Sequence, residues 1–175
     1  FRTQSDTEVI LHLYEDRGTE CVRELRGMFA FALWDEGRKR LVLARDRLGK
    51  KPLVYAVTKG AFVFASEIQA VLKDPEVGRD IDTAALHDFL TYQYVPSPAT
   101  IFRGVRKLPP AHLLTLERGE VRIERYWRPR FDRQTAIPEK EAAGELLRLL
   151  EESIRLRLVS DVPLGAFLSG GIDSS

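Results

Sequence analysis

Met28-Phe29-Ala30-Phe31-Ala32-Leu33-Trp34 changes the period of this chain. Phe29, Phe31 and Leu33 alternate with the small residues Ala30 and Ala32, and a period of two belongs to a strand. Small residues on the alternate positions mark a second face lying against another layer. The expectation is therefore that Phe29, Phe31 and Leu33 face the interior of a sheet sandwich. Glu36-Gly37-Arg38-Lys39 is a turn, and residues 41–44 form the return strand.

Working upstream, Ser5-Asp6-Thr7-Glu8 has the form of a capping box, with Ser5 accepting from the Glu8 amide and Glu8 reaching back. The helix it opens carries Val9, Ile10, Leu13 and Tyr14 on one side and stops before Gly18. A second short helix over residues 19–25 places Val22 and Leu25 together. Downstream, residues 52–57 and 62–65 form a hairpin around Lys59-Gly60, and residues 68–72 a short helix. Asp82 caps a helix that runs to about Tyr92. Pro96, Pro98, Pro109 and Pro110 break the next stretch into loops, and residues 113–116 pair with 121–126 across Arg118-Gly119.

The period changes again after Trp127. Residues 128–138 are charged, contain prolines and lack periodicity, which is linker chemistry. Glu139 opens a long helix with Ala143, Leu146, Leu147, Leu150 and Ile154 on one stripe. The apolar run 164–168 then reads as a buried strand, entering Ser169-Gly170-Gly171-Ile172-Asp173-Ser174-Ser175. A strand running into a Gly- and hydroxyl-rich turn exposes backbone N–H groups where no Cβ obstructs phosphate oxygens. Strands with short flanking helices, followed by helix, strand and loop, give an α+β unit and the beginning of an α/β unit.

Composition narrows the function. With 44% hydrophobic and 30% charged residues the chain has ordinary globular content, enough for a core. A net charge of +1 supplies no field for nucleic acid or an anionic membrane. No run approaches membrane-spanning length and no signal peptide opens the chain, so the expected location is cytoplasmic. The single cysteine, Cys21, has no partner for an internal disulfide and falls inside a helix, where a small buried side chain is its expected role. His12, His87 and His112 have no metal-ligand spacing. Phe1 is not a natural start, and the chain reads as a piece cut at both ends.

The terminal string resembles the S-G-G-x-D-S pyrophosphate loop of the N-type ATP pyrophosphatases, which cleave ATP between the α and β phosphates. Taken together, Ser5-Asp6-Thr7-Glu8-Val9-Ile10, Gly27-Met28-Phe29-Ala30-Phe31-Ala32, Ala44-Arg45-Asp46-Arg47-Leu48-Gly49, Ala65-Ser66-Glu67, Tyr94-Val95-Pro96 and Ser160-Asp161-Val162-Pro163 are similar, in this order, to the glutamine-hydrolysing asparagine synthetases. That resemblance runs from end to end. It implies the C-terminal part of a class II glutamine amidotransferase (glutaminase) domain of the α+β N-terminal-nucleophile hydrolase type over residues 1–127, with stacked antiparallel sheets flanked by helices. A linker over 128–138 follows, then the start of an α/β adenine-nucleotide hydrolase-like synthetase domain over 139–175.

The resemblance also implies chemistry. An N-terminal cysteine attacks the glutamine amide with its own α-amino group as base, and ammonia leaves through a thioester stage. At a second site ATP adenylates the aspartate side chain, and ammonia displaces AMP to give asparagine, with pyrophosphate and glutamate as the other products. Asp6 matches the aspartate that binds the α-amino group of glutamine. As a bare residue it would serve the helix dipole, but Ser5 already supplies the cap. Leu168, Ser169, Gly170, Gly171, Asp173 and Ser174 match the ATP-binding loop, with Asp173 assigned to Mg²⁺.

The family nucleophile, its Asn-Gly oxyanion pair and its carboxylate-binding arginine have no match in residues 1–175, so the fragment alone is expected to be inactive. For Arg45-Asp46 and Glu67, a structural ion pair or turn explains the residues as well as the family string does. Lys50-Lys51-Pro52 departs from relatives that carry an apolar residue there. The implied partners are glutamine, ATP and aspartate or another carboxylate, with a homodimer as an option. Two other readings stay open: an amidotransferase for a different carboxylate in polysaccharide or secondary-metabolite synthesis, and a noncatalytic regulatory module.

Overall fold

In the computed structural model, which describes residues 1–132 and 136–172, α1 (Asp6–Arg17) opens the chain and a 3-10 helix (Gly18–Arg23) follows it. The strands and remaining helices are β1 (Ala30–Asp35), β2 (Arg40–Arg45), β3 (Val54–Val57), β4 (Phe62–Ala65), α2 (Ile68–Val71), α3 (Thr83–Tyr92), β5 (Val105–Lys107), β6 (His112–Glu117), β7 (Glu120–Arg125) and α4 (Glu139–Arg157). The chain divides into two compact units, Phe1–Pro129 and Arg130–Ser175.

In the first unit two antiparallel sheets form, ordered β1-β2-β6-β7 and β4-β3-β5. The pleat of β2 sorts its residues between two cores. Leu41 and Leu43, with Leu114 and Leu116 of β6, meet Leu53, Tyr55, Phe62 and Leu108 in the core between the sheets. Val42 and Ala44, with Leu113, point the other way and meet Tyr14, Cys21, Val22, Ile10 and Leu13 of the helical layer. The outer face of the second sheet, Val54, Ala56 and Val105, packs on Ile68, Val71, Leu72 and Val77. The order is helix, sheet, sheet, helix. Leu43, Leu114 and Val42 are fully buried, and each such side chain contributes about 1.5–3 kcal/mol relative to exposure.

Register corrects one expectation. Phe31 lies opposite Ala44 and Leu33 opposite Val42, and cross-strand partners share a face. Phe29, Phe31 and Leu33 therefore pack toward α1 and the 3-10 helix, not into the space between the sheets. That space is filled by leucines from β2 and β6, and β1 sends only Ala30 into it. The strand itself is as expected; its orientation is not.

Other elements follow their local signals. Asp82 accepts from the amides of Ala84 and Ala85 and starts α3. Gln93, at φ 63°, ends it in a left-handed cap. The expected helix over residues 19–25 is the 3-10 turn, which buries Cys21 and Val22. β5 was not anticipated: Val-Arg-Lys is too short to show alternation, and its pairing with β3 defines it.

In the second unit α4 starts after Pro138, whose carbonyl takes the amides of Glu141 and Ala142. Its first turn carries Glu139 and Glu141 and its last Arg155 and Arg157, the signs that favour the helix dipole. The stripe Leu146, Leu147, Leu150 and Ile154 is exposed within this unit. The expected buried strand over 164–168 is not formed. Those residues are extended and unpaired, with Leu164, Phe167 and Leu168 exposed, because a strand needs a ladder partner and none of the described residues offers one. Among the described residues no helix is long and apolar enough to cross a membrane.

Candidate active site

Asp6 is the first residue of α1, exposed at its N-terminus. The Ser5 hydroxyl caps the helix, but its donor is the Thr7 amide at 3.2 Å, while the Glu8 amide goes to the Ser5 carbonyl at 3.2 Å. The reciprocal half of the expected capping box is absent. Glu8 passes over Ser5 and takes the Arg2 amide at 2.5 Å, the Thr3 amide at 2.7 Å and the Thr3 hydroxyl at 2.6 Å. These bonds, the Thr3 hydroxyl first, bring its carboxyl down to about 2. No hydrogen bond or ion pair reaches the Asp6 carboxylate among the described residues. Next to two satisfied capping groups stands one carboxylate with nothing to hold.

Of the nucleotide-loop residues, Leu168, Ser169, Gly170 and Gly171 are described, and Asp173 and Ser174 lie outside the described residues. Gly170 has φ 73°, in the left-handed region that suits glycine. The Gly171 amide approaches the Ser169 hydroxyl at 3.4 Å. A Cβ built on Gly170 would meet nothing within 4 Å among the described residues.

The Arg45-Asp46-Arg47 string proves to be architectural. Asp46 is 1% exposed and accepts from the amides of Leu48, Lys50 and Lys51 at 3.1, 3.0 and 3.0 Å. Burial pushes its carboxyl up, but the amides of Lys51, Lys50, Leu48 and Gly49 outweigh that and the net shift is downward. Arg45 donates to the carbonyls of Lys51, Leu108 and Gly49, each at 2.7 Å. Arg47 donates to those of Leu25 and Arg23, and the Tyr126 hydroxyl closes onto the Arg45 carbonyl at 2.8 Å. The side chains of Arg45 and Asp46 thus satisfy backbone groups rather than each other. Glu67 stands before α2, its carbonyl accepting from Ala70 and Val71.

Cys21 is fully buried against the first sheet, and burial pushes its thiol upward. A nucleophilic cysteine needs the opposite shift. His12 sits on Glu15 at 3.0 Å, His112 on the Pro110 carbonyl at 2.7 Å, and His87 beside Asp88 at 3.9 Å. Among the described residues no cluster of three or more His, Cys, Asp or Glu is placed to hold a metal ion. Sequence reasoning missed the role of Glu8, whose partners lie upstream of the box it appeared to complete.

Comparison with known proteins finds two family matches in one chain. Residues 1–127 match the glutamine amidotransferase domain family, and residues 145–175 match the asparagine synthase family. A Bacillus subtilis protein named asparagine synthetase [glutamine-hydrolyzing] 3 is 41% identical over 176 residues, covering 100% of this chain and 28% of its own length. A Mycobacterium tuberculosis protein named putative asparagine synthetase [glutamine-hydrolyzing] is 42% identical over 182 residues, with the same shares, 100% and 28%. The chain therefore spans little more than a quarter of these relatives. Among solved structures, one described as the allosteric regulatory enzyme of purine biosynthesis aligns with a TM-score of 0.50 at 23% identity, over 74% of this chain and 23% of that one. That likeness concerns the fold, the two-sheet sandwich between helical layers.

Proposed function

The chain belongs to the glutamine amidotransferase domain family, and on that footing we propose that the protein carrying it hydrolyses glutamine and uses the ammonia to amidate aspartate at the expense of ATP. The observation that carries this reading is the order of the two family matches, amidotransferase over 1–127 and asparagine synthase over 145–175. Relatives that bear the name cover the chain from end to end.

Asp6 has the chemistry for one half of the reaction. An exposed carboxylate at a helix start, without a partner among the described residues, is suited to the α-ammonium of glutamine. The cysteine thiolate that would attack the side-chain amide has no counterpart here, since Cys21 is buried with a raised pKa. Glutamate leaves after hydrolysis of the thioester, and ammonia goes on to the second reaction.

For the other half, the nucleotide loop has the residue chemistry to hold a polyphosphate. Ser169, Gly170 and Gly171 would offer a hydroxyl and backbone N–H groups, and the two glycines carry no side chain to obstruct a phosphate. Leu168 would meet the nucleotide through its backbone, and Ser174 would add a second hydroxyl. Asp173 would hold Mg²⁺, and the ion would supply positive charge to offset that of the phosphates. The loop's part is to hold the β and γ phosphates while the aspartate carboxylate attacks the α phosphorus. Pyrophosphate departs, and ammonia then displaces AMP from the activated acyl group.

The test uses the full-length protein. With glutamine, aspartate, ATP and Mg²⁺, the expected products are glutamate, asparagine, AMP and pyrophosphate. With ammonia in place of glutamine, asparagine still forms and Asp173→Asn abolishes pyrophosphate release; in a separate assay with glutamine, that variant still releases glutamate. Pyrophosphate release with a different carboxylate but not with aspartate would overturn the acceptor. No glutamate release from glutamine would overturn the amidotransferase activity itself.

A further inference from the structure

We propose that Glu8 is a positioning residue for glutamine binding: its carboxylate staples residues 2–5 onto the first turn of α1 and so keeps the Asp6 carboxylate free for substrate. This deepens the function proposed above and rests on its assignment of Asp6.

The argument is one of competing acceptors. The start of a helix presents N–H groups with no intrahelical partner, and any nearby carboxylate is drawn to them. Four consecutive side-chain acceptors, Ser5, Asp6, Thr7 and Glu8, crowd this helix start, two of them carboxylates. Ser5 covers the Thr7 amide. Glu8 covers the amides of Arg2 and Thr3, and the Thr3 hydroxyl that bonds it also accepts from the Ser5 amide at 3.2 Å. The first amides of α1, those of Thr7 and Glu8, go to the Ser5 hydroxyl and carbonyl, and the segment that leads into Asp6 is tied back to Glu8 through Arg2 and Thr3.

Glu8 itself is well supported. Its side chain is 13% exposed, with His12 Nε2 at 3.6 Å from Oε1. His12 in turn meets Glu15, and the Phe1 ring packs edge-on against it. Such a group is not a free surface acid available to the substrate. Its effect on glutamine is transmitted through the backbone that precedes Asp6.

The experiment is glutamine hydrolysis by the full-length protein carrying Glu8→Gln, Thr3→Val, both together, or Asp6→Asn. Glu8→Gln replaces one acceptor oxygen by a donor, so one of the amides of Arg2 and Thr3 loses its partner. The expected result is a KM for glutamine raised about tenfold, the equivalent of one hydrogen bond, with kcat within about twofold. Thr3→Val, which removes the hydroxyl shared by Glu8 and Ser5, raises KM less, and the two changes are less than additive because they break one network. Should Glu8→Gln fail to fold, the KM of Thr3→Val carries the test. If KM stays within twofold of the unmutated value in Glu8→Gln and Thr3→Val while Asp6→Asn raises it, the positioning role is refuted and the Asp6 assignment stands. An unchanged KM in Asp6→Asn removes that assignment and this inference with it.

Discussion

Asp46→Asn puts the load on a single buried carboxylate. The side chain is 1% exposed, and its two oxygens take three amides, those of Leu48 and Lys50 on Oδ1 and that of Lys51 on Oδ2. Asparagine keeps the volume and one acceptor oxygen, but its NH₂ group then faces an N–H, donor against donor. One charge-assisted bond is lost and one buried amide is left unsatisfied, together costing about 3 kcal/mol. For a unit of this size that lowers the unfolding midpoint by roughly 10 °C. The only tryptophans, Trp34 and Trp127, lie in the first unit, so their fluorescence during thermal or urea unfolding reports the change. The pH dependence has a defined sign. The folded carboxyl is held below its ordinary value, so its contribution is complete above the unfolded pKa of about 4 and is lost as pH falls through the folded value. Wild type and variant should therefore converge in acid. A destabilisation under about 1 kcal/mol at neutral pH, or a gap that widens in acid, would refute this account of the 46–51 turn.

Gly49→Ala should destabilise the same turn by about 2–4 kcal/mol in urea unfolding, because Gly49 has φ +65° and a Cβ there would meet Pro110 Cγ at 2.7 Å. Tyr126→Phe should cost about 1 kcal/mol at neutral pH through the lost bond to the Arg45 carbonyl. Burial pushes the Tyr126 hydroxyl up to about 12. The tyrosine's stabilisation is thus present below its unfolded pKa of about 10 and lost as pH rises through the folded value, while the variant lacks that alkaline loss; urea midpoints across this range check it. Gly170→Ala strains a φ of +73° with no atom near its Cβ. Trp fluorescence should unfold as in the unmutated protein, whereas the KM for ATP in the full-length protein should rise.

The sequence alone determined whatever depends on near neighbours along the chain. Ser5 and Gly18 bound α1, Asp82 starts α3, and turns at Gly37, Gly60 and Gly119 separate strands that pair as hairpins. Capping, turn chemistry and a two-residue period act over a few residues, so they are legible before folding. The ordered family strings likewise placed Asp6 and the Ser169 loop as candidates, since residue order survives without coordinates. Only the tertiary structure decided which way each face points. Alternation sets Phe29, Phe31 and Leu33 apart from Ala30, but the pairing with Val42 and Ala44 sends them to the helical layer. For Arg45 and Asp46 the sequence left an ion pair or a turn open, and the structure decides for the turn. Their partners are backbone groups of residues 48–51 and of Leu108, the last 63 positions away. β5 exists through β3 alone, and the run 164–168 stays unpaired because an apolar segment becomes a strand only when another strand supplies its hydrogen bonds.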